Sequence, residues 1–472
     1  MGTTKKIIGA VALITGVFII GGSYWTGKSV EKTFRAGAEG MAEYGFLIKQ
    51  IDYRRGIFSA TAHTEWELLP EWGLMFPEGE PLTVSYKHDI RHGPVFSPTA
   101  AASIRSELML SEELVAALIN AFGDDSVEGS LAAVLADGFS SDPFDGKAPL
   151  TIETTIGWSG GRHARIVSPG IEFPAEEGQS RFSWGGLDGE IAMDSTYSKM
   201  KASIVMGGLT VIGSNEDQIQ IGRTIFRIDV EQPAGYEFTP VGTVSFVQDR
   251  LWSRTMDENT GAMSEIALDN TRIEVNATIV NDVQDGRIRF DADKIVMRNG
   301  AIAIEKPGAT FLFENFDAQV NEAIQKVRWG QGGESVHHAF LREQAKAFLQ
   351  RQPAITIKDL SAHWPEGMMT GNLRVAYVGD SDPMRFSPSD LAVAFQFSLP
   401  RTLAIRLLEM QAATKDVERE QNDMLNTMIQ NGVLIEKDGA LSIDANFKDG
   451  ALILNGQSSK PFGVLQELLR LF

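Results

Sequence analysis

The side chains of this chain that could do chemistry begin with a glycine-flanked serine. Gly157-Trp158-Ser159-Gly160-Gly161 matches G-x-S-x-G, the pattern in which α/β-hydrolases present a nucleophile on a strand-to-helix turn. A strand-like segment, Thr151–Ile156, precedes it, but residues 161–170 are typical of a second extended segment and not of a helix. The sequence therefore favours a hairpin turn at Ser159, and a periplasmic serine hydrolase that uses Ser159 remains the alternative hypothesis for function.

Two histidine patterns could bind a metal ion. His88 and His92 form H-x-x-x-H, which on a helix would bring both rings to one ion. The segment Leu82–Tyr86 before them is strand-like, and four strand residues at about 3.3 Å each separate the rings too far for that. His337 and His338 are adjacent on a predicted helix and point in different directions. Neither pattern predicts a metal site.

Two short acidic segments could offer oxygen ligands to calcium. Asp291-Ala292-Asp293 and Asp380-Ser381-Asp382 lack the glycine and distal glutamate that complete an EF-hand loop, so turn chemistry explains them better. The chain has no Walker loop, and no dinucleotide fingerprint follows a strand. We therefore predict no catalytic, cofactor-binding or metal-binding residue.

The elements that would position any site are mainly strands. Ile273–Ile279 alternates strictly between apolar and polar residues, and Thr151–Ile156 and Ser180–Trp184 alternate approximately, as half-buried strands do. Asp-Gly and Asn-Gly pairs, which favour tight hairpins, interrupt the strand-like runs. They are Asp145-Gly146, Asp188-Gly189, Asp285-Gly286, Asn299-Gly300, Asp438-Gly439 and Asp449-Gly450. The last two lie eleven residues apart and predict a three-stranded meander over Val433–Gln457.

The predicted helices are fewer and mostly amphipathic. We expect them at 112–122, 319–329, 335–350, 401–430 and 462–472. The apolar stripe of the longest, which includes Leu403, Leu407 and Met428, is typical of a surface that faces a core. In the strand Leu391–Leu399, large apolar residues alternate with small ones, and the small-residue face is expected to pack against a helix or, alternatively, to form the floor of an acyl-chain groove.

The fold class that follows is α+β. We expect one N-terminal transmembrane helix and an elongated body rich in antiparallel β-sheet. The glycine-rich segment 330–333 is the best candidate for an internal linker. The expected organisation is therefore a cytoplasmic tip with the anchor (1–27), a β-rich region (28–330) and a helix-plus-meander region (331–472), the last two of which could be continuous.

Charge and cysteine content exclude several classes of function. The formal charge is -19 at pH 7, and Lys5 and Lys6 are the only charged residues among the first 25, so the remainder is more acidic still. Such a body repels nucleic-acid phosphates, and nucleic-acid binding is not expected. The chain has no cysteine, which excludes disulfides, zinc thiolates and thiol catalysis and suits an oxidising compartment.

The N-terminal residues predict a membrane anchor. Lys5 and Lys6 precede an uncharged run over residues 7–25, which as a helix would span roughly 28 Å, close to the hydrocarbon thickness of a bilayer. The two lysines favour a cytoplasmic N-terminus, and Tyr24 and Trp25 suit the far interface. A cleaved signal peptide is the competing interpretation, but its apolar stretch is usually shorter and ends in small residues.

Several short motifs resemble the YdgA-like family of bacterial envelope proteins. They are Tyr24-Trp25-Thr26-Gly27-Lys28 with Glu31, Tyr53-Arg54-Arg55-Gly56-Ile57-Phe58-Ser59, His92-Gly93-Pro94, Ile156-Gly157-Trp158-Ser159-Gly160 and Leu454-Asn455-Gly456-Gln457. The resemblance implies one inner-membrane span, a periplasmic body in a Gram-negative-type envelope and no known enzyme activity. It supplies no catalytic residue.

The expected function is therefore non-enzymatic. A single-pass inner-membrane protein, spanning at residues 7–25, would bind a partner protein or a hydrophobic or lipid ligand along a β-sheet surface in the periplasm. No cofactor is expected. Self-association through the stalk (28–43) or the longest helix stays open.

Overall fold

Antiparallel strands account for most of the described chain, as the alternating sequence predicts. The computed structural model of the protein describes residues 23, 26–36, 38–39, 46–68, 82–93, 97, 99–110, 144–173, 181–212, 218–256, 263–297, 302–328, 337–379, 387–411 and 417–459. Among the predicted features, the following lie outside these residues: the anchor apart from Ser23, the helices 112–122 and 462–472, the turn Asn299-Gly300, the linker 330–333 and the segment Asp380–Asp382.

The chain forms two compact units, which are described separately. Unit 1 comprises residues 1–227 and 252–263, and unit 2 comprises 228–251 and 264–472. In unit 1 the strands β1, β2, β3, β4, β5, β6, β9 and β10 pair in that order, and β7, β8, β11 and β12 form a second series. The bounds are β1 Phe46–Arg55, β2 Ser59–Leu68, β3 Leu82–His92, β4 Ala100–Met109, β5 Thr151–Gly157, β6 Arg162–Ser168, β7 Ile171–Phe173, β8 Arg181–Trp184, β9 Leu187–Met193, β10 Lys199–Met206, β11 Leu209–Ile212 and β12 Gln218–Ile221.

Three strands contain residues of both units, and the remaining strands belong to unit 2. The first three are β13 Thr224–Glu231, β14 Val241–Met256 and β15 Met263–Val280. The others are β16 Val283–Asp291, β17 Lys294–Met297, β18 Ile302–Asp317, β19 Ala354–Trp364, β20 Gly367–Tyr377, β21 Leu391–Pro400, β22 Ile435–Lys437, β23 Ala440–Lys448, β24 Ala451–Leu454 and β25 Gln457–Ser459. The main series in unit 2 pairs β15, β16, β18, β19, β20, β21, β23, β24 and β25 in that order.

Helices lie at a few points along these strands. Among the described residues they are α1 (26–36) in unit 1, and α2 Ala318–Arg328, α3 His337–Gln350, α4 Arg401–Gln411 and α5 Val417–Gln430 in unit 2, together with a 3-10 turn at Pro388–Asp390. In the part of the chain that the structure describes, no helix is both long and apolar enough to span a membrane. The amphipathic helices predicted at 319–329 and 335–350 are confirmed within one or two residues.

The prediction of a single long helix over 401–430 is wrong. The structure has two helices there, α4 and α5, and both contribute to one core on β23 and β24 that includes Ala404, Leu425, Met428, Leu441 and Leu454. In one straight helix Ala404 and Leu425 would stand roughly 31 Å apart, so a continuous helix could not bring both to that core. The expected core-facing role of the stripe is confirmed at Leu403, Leu425 and Met428, which are buried.

The Asp-Gly pairs separate into true turns and glycines inside strands. Asp438-Gly439 and Asp449-Gly450 have positive φ and join β22 to β23 and β23 to β24, which confirms the meander. Asp188-Gly189 and Asp285-Gly286 were predicted as turns, but they lie within β9 and β16. There the absent side chain leaves room for a neighbour, because a Cβ at Gly189 would stand 3.1 Å from Cγ1 of Ile204.

A β-bulge keeps the apolar side chains of β19 on one face. Ile357 pairs with Leu373, whereas the next pair joins Leu360 to Gly371, so β19 carries one residue more than β20 over this step. Asp359 adopts a positive φ of 53°, and its N–H donates to Oδ1 of Asn372. The extra residue puts Leu360 on the same face as Ile357.

Candidate functional site

Cross-strand register in unit 2 aligns apolar side chains into rows on one face of the sheet. Directly opposed residues of paired strands share a face, so the pairing defines each row. One row contains Phe313, Ile355, Val375, Val393, Phe447 and Leu452. The next contains Ile288, Phe311, Ile357, Leu373, Phe395, Ala445 and Leu454. We call these two rows the unit 2 apolar face.

Among the described residues, helices bury this face fully only on β23 and β24. On β23 and β24, below α4 and α5, Ala445, Leu452 and Leu454 are buried. On β18 to β20 the corresponding residues are only half-buried, and Ile355 remains 44% exposed. A face of this kind would normally be covered by a second layer of structure. Among the described residues, β18 to β20 therefore present a partly exposed part of the unit 2 apolar face.

The opposite face of the same strands is polar. Arg374 donates to Oε2 of Glu314 and, at 3.0 Å, to Oγ1 of Thr356. Gln396 donates to Asp444 at 3.1 Å. The small residues of β21 lie on this face, and their cross-strand neighbours are polar, for example Arg374 and Asn446 beside Ala394. The small-residue face thus carries neither the expected helix contact nor the surroundings of an acyl-chain groove.

A shallow depression on this polar face has a volume of about 420 Å³ and includes Asn372, Gln396, Asp444 and Asn455 in its lining. These groups hydrogen-bond to one another or to the backbone. These polar side chains of the lining therefore already have hydrogen-bond partners within the protein.

Unit 1 repeats the same two-sided design. Ile152, Ile166 and Ile204 form a row across β5, β6, β9 and β10, and Ile191 lies in the next row on the same face; we call these four residues the unit 1 apolar face. All four are only partly buried. The opposite side carries ion pairs, among them Arg165 with Asp188 at 2.9 Å and Arg105 with Glu153 at 3.7 Å. In the part of the chain that the structure describes, each unit therefore combines a charged sheet face with an apolar face whose side chains are only partly buried.

Helix α1 covers the other end of this sheet. Val30 and Phe34 pack on a floor of small and branched residues contributed by β2, β3 and β4, namely Ala60, Ala62, Ile90 and Ala102. Small residues allow a helix to lie close to a sheet. The contact is close at Gly27, where a Cβ would stand 2.5 Å from Cε1 of His92.

A cluster of charged side chains closes the exposed edge of this contact. Glu31 of α1 pairs with Arg35 at 3.3 Å and with Arg55 of β1 at 3.2 Å. The Arg35 guanidinium lies 5.8 Å from the centre of the Tyr53 ring. Burial, followed by the negative charge of Glu31, raises the pKa of Tyr53 to about 12. These contacts hold α1 and β1 together across the sheet edge.

His88 and His92 both lie on β3, as the strand interpretation predicts, and both are buried beneath α1. His88 bonds through Nε2 to Oγ1 of Thr64 at 2.8 Å and through Nδ1 to Oγ of Ser106 at 2.7 Å. Burial, with the nearby His63 charge, lowers the pKa of His88 to about 4. Within the described ranges there is no group of three or more side chains that could hold a metal ion.

The His92 side chain is fully buried, and neither ring nitrogen has a hydrogen-bond partner among the described residues. The backbone groups of Ser23 and Ser59 lie next to the ring and favour its charged form. Burial lowers the pKa of His92, and these two backbone groups offset the effect in part.

Ser159 lies in a tight turn between the antiparallel strands β5 and β6. The N–H of Gly157 donates to the carbonyl of Gly161 at 2.8 Å, and the N–H of Gly160 donates to the carbonyl of Gly157 at 2.9 Å. This confirms the predicted hairpin. A nucleophile elbow requires a helix after the serine, and here the strand β6 follows.

The acidic pair and the second histidine pair have ordinary positions. Asp291 accepts from Nε of Arg289 at 2.9 Å, and Asp293 accepts from Nδ2 of Asn270 at 2.7 Å. These carboxylates therefore form hydrogen bonds within the protein, at the end of β16 and just before β17. His337 and His338 open α3, and their side chains lie outside the described residues.

The sequence did not reveal the apolar faces. Alternation marked individual strands, but the rows depend on which residues stand opposite one another, and a slip of one residue inverts a strand. The available signal was the recurrence of isoleucine, valine and phenylalanine at alternate positions in many consecutive strands.

Comparison with known proteins gives one match. A family model described as a bacterial protein of unknown function (DUF945) matches residues 4–461. No curated protein and no solved structure matches the chain.

Proposed function

The chain belongs to the DUF945 family of bacterial proteins of unknown function, and we propose that it is a membrane-anchored envelope protein that binds lipid acyl chains on its apolar sheet faces. In this proposal the protein is a YdgA-like member of the family and catalyses no reaction. Residues 7–25 span the inner membrane once, the N-terminus is cytoplasmic, and the body lies in the periplasm.

The observation that carries the binding proposal is the incomplete cover of the unit 2 apolar face. Its side chains are buried below α4 and α5 but only half-buried on β18 to β20. Burying apolar surface contributes about 25 cal/mol per Å², so an acyl chain laid along a row would gain free energy from each strand it crosses. The face offers aliphatic and aromatic contacts without charged groups, which suits a hydrocarbon chain better than a polar peptide.

The N-terminal residues support the membrane tether. The uncharged run over residues 7–25 follows Lys5 and Lys6, and the described residues of α1 follow the run in sequence and pack on β2, β3 and β4. A body attached in this way would stay within reach of bilayer lipids. The unit 1 apolar face would offer a second binding surface of the same kind.

Lipid extraction and mass spectrometry of the purified full chain test the binding proposal. We expect phospholipid or fatty acid to be recovered at a fixed ratio to protein. Recovery of an empty chain, or of a stoichiometric protein partner bound to the apolar faces, would contradict it.

Topology is tested separately. A reporter that is active only in the periplasm, fused after Phe472, should be active, and N-terminal sequencing should find the chain uncleaved. A mature chain that begins after Ser23 would contradict the anchor.

A further inference from the structure

The two imidazoles buried beneath α1 have no part in the proposed lipid binding, and their placement indicates a separate property. His88 and His92 lie four residues apart on β3 and therefore face the same side of the sheet, the side on which α1 packs. We propose that the contact between α1 and this sheet is an acid-sensitive joint, in which protonation of His88 and His92 releases the helix from the sheet.

His92 is placed where a positive charge is poorly stabilised. Its ring is 0% exposed and lies against α1, so that even one added methyl at Gly27 would overlap it. The buried hydroxyl of Ser23 has no hydrogen-bond partner among the described residues, and the backbones of Ser23 and Ser59 offset the cost of burial only in part. Movement of α1 away from the sheet would give an imidazolium the solvent that it lacks in the docked state.

His88 is held by a hydrogen-bond arrangement that suits the neutral ring. Thr64 accepts from Nε1 of Trp66 at 2.7 Å, which leaves its own hydroxyl proton to donate to Nε2 of His88. The Nδ1–H group of His88 then donates a hydrogen bond to Oγ of Ser106. In the charged ring both nitrogens would donate, and the buried Thr64 hydroxyl proton would lose its acceptor. The Phe34 ring of α1 lies edge-on at 5.0 Å and adds no charge.

The charged and titratable groups around the pair do not favour its protonation. Arg55 of β1 lowers the pKa of His92, and His63 of β2 lowers that of His88, while Asp89 of β3 raises the pKa of His88 weakly. Glu31 of α1 is already paired with Arg35 and Arg55. Tyr53 of β1 and Tyr86 of β3 lie on the same packed elements; their pKa values are raised, and they stay neutral in acid.

The sign and size of the effect follow from linkage. Both rings have a lowered pKa in the docked state, so the released state binds more protons and docking weakens as pH falls. The loss begins below about pH 6.5, where a free imidazole becomes charged. Each ring then raises the ratio of released to docked helix by up to about tenfold per pH unit, and the two together by up to about a hundredfold.

Distance measurement on the full chain in detergent tests the joint. The chain has no cysteine, so Ser29→Cys on α1 and Thr61→Cys on β2, both at exposed positions, take spin labels without background. At pH 8 pulsed EPR should give one narrow distance, and between pH 6.5 and 5 a broad second population should grow. A reference pair, Thr61→Cys with Glu153→Cys, lies within the sheet and should keep its distance, which separates release of the helix from unfolding of unit 1.

Histidine variants assign the effect. His88→Asn and His92→Asn should each reduce the pH dependence to about that of one proton, and the double variant should lose it. His163→Asn, at an exposed position on β6, is the matched control and should titrate like the wild type. A wild-type joint that stays intact at pH 5, or a double variant with the wild-type pH dependence, would overturn the proposal. If α1 is already released at pH 8 in the double variant, the pH dependence of helix release in the two single variants decides whether the histidines cause the effect.

Discussion

Glu322 on α2 accepts a hydrogen bond from the hydroxyl of Thr239, eighty-three residues earlier in the chain, at 2.8 Å. The same buried carboxylate accepts from the backbone N–H groups of Glu237 and Phe238, and Nζ of Lys326 lies 3.6 Å away. Glu322 therefore holds the loop before β14 on the first turns of α2, within unit 2.

Removal of this carboxylate should destabilise unit 2. Glu322→Ala leaves two backbone donors and one hydroxyl without their acceptor, and we expect a loss of about 2–4 kcal/mol in the free energy of unfolding. Urea denaturation followed by circular dichroism measures it. Glu409→Ala, at an exposed position on α4, is the matched control and should change stability by less than about 0.5 kcal/mol. Equal effects of the two variants would contradict the assignment.

The Glu322 interaction also has a predictable pH dependence. Burial raises the pKa of Glu322, but the hydrogen bonds from Glu237, Phe238 and Thr239 outweigh this, so its pKa in the folded chain lies below the usual value. Because the folded pKa is depressed, the stabilisation is fully present above about pH 4.5 and disappears as pH falls through the folded pKa. The difference in stability between wild type and Glu322→Ala should therefore shrink in acid.

Thr64→Val should destabilise unit 1 without changing the shape of the side chain. Thr64 is buried and bonds both Trp66 and His88, so the valine would leave two buried polar groups without a partner. We expect a loss of about 1–3 kcal/mol by denaturant titration. Thr61→Val, at an exposed position on the same strand, should be close to neutral. A neutral Thr64→Val would show that water replaces the hydroxyl.

Gly27→Ala tests how closely α1 approaches the sheet. A Cβ at residue 27 would stand 2.5 Å from Cε1 of His92, so α1 or the ring must shift. We expect a net loss of about 1–3 kcal/mol from overpacking, despite the better helix propensity of alanine. Adding His92→Ala should restore part of the loss in a double-mutant cycle. Ser29→Ala, on the exposed side of α1, serves as the control; additive effects of Gly27→Ala and His92→Ala would argue against direct contact.

A charge placed on the unit 2 apolar face should abolish lipid retention. Ile355 is exposed enough for Ile355→Glu to fold, but a bound acyl chain would have to desolvate the new carboxylate. We expect at least about a tenfold fall in co-purified lipid, since about 1.4 kcal/mol suffices for that factor. Ala394→Glu, exposed on the opposite face, is the matched control and should retain lipid. If both variants retain lipid equally, the proposed face is not the binding surface.

Ser159→Ala should leave both stability and any measured hydrolytic activity unchanged. Ser159 occupies a hairpin turn whose hydrogen bonds are made by the backbone of neighbouring glycines. Denaturation together with esterase and amidase assays on the purified chain measures both properties. An activity that is present in the wild type and lost in the variant would support the serine hydrolase after all.

The sequence predicted correctly those features that are determined by residues adjacent in the chain. Strict alternation in Ile273–Ile279 and the turns at Asp438-Gly439 and Asp449-Gly450 were read correctly, because the residues themselves set strand and turn geometry. Asp188-Gly189 is the same pair of residues as in those turns, yet its glycine lies within β9 and leaves room for the side chain of Ile204 on the paired strand β10. That role depends on pairing and is not visible in a single sequence.

The candidate site was less predictable for the same reason. The placement of His88 and His92 on a strand followed from the residues around them, but the packing of the helical segment after residue 26 over them did not. The apolar faces required the register of eleven strands, including the bulge at Asp359, which no local pattern marked.

The bulge in β19 lets this strand carry one residue more than β20 without inverting its faces. Lys358 and Asp359 together stand opposite Asn372, so Ile357 and Leu360 share a face although they are three residues apart. Deleting Asp359 alone would leave Lys358 opposite Asn372 and would keep Leu360, Ala362 and Trp364 on the apolar face. Descendants of this chain can therefore lose this one residue without turning half of the strand inside out.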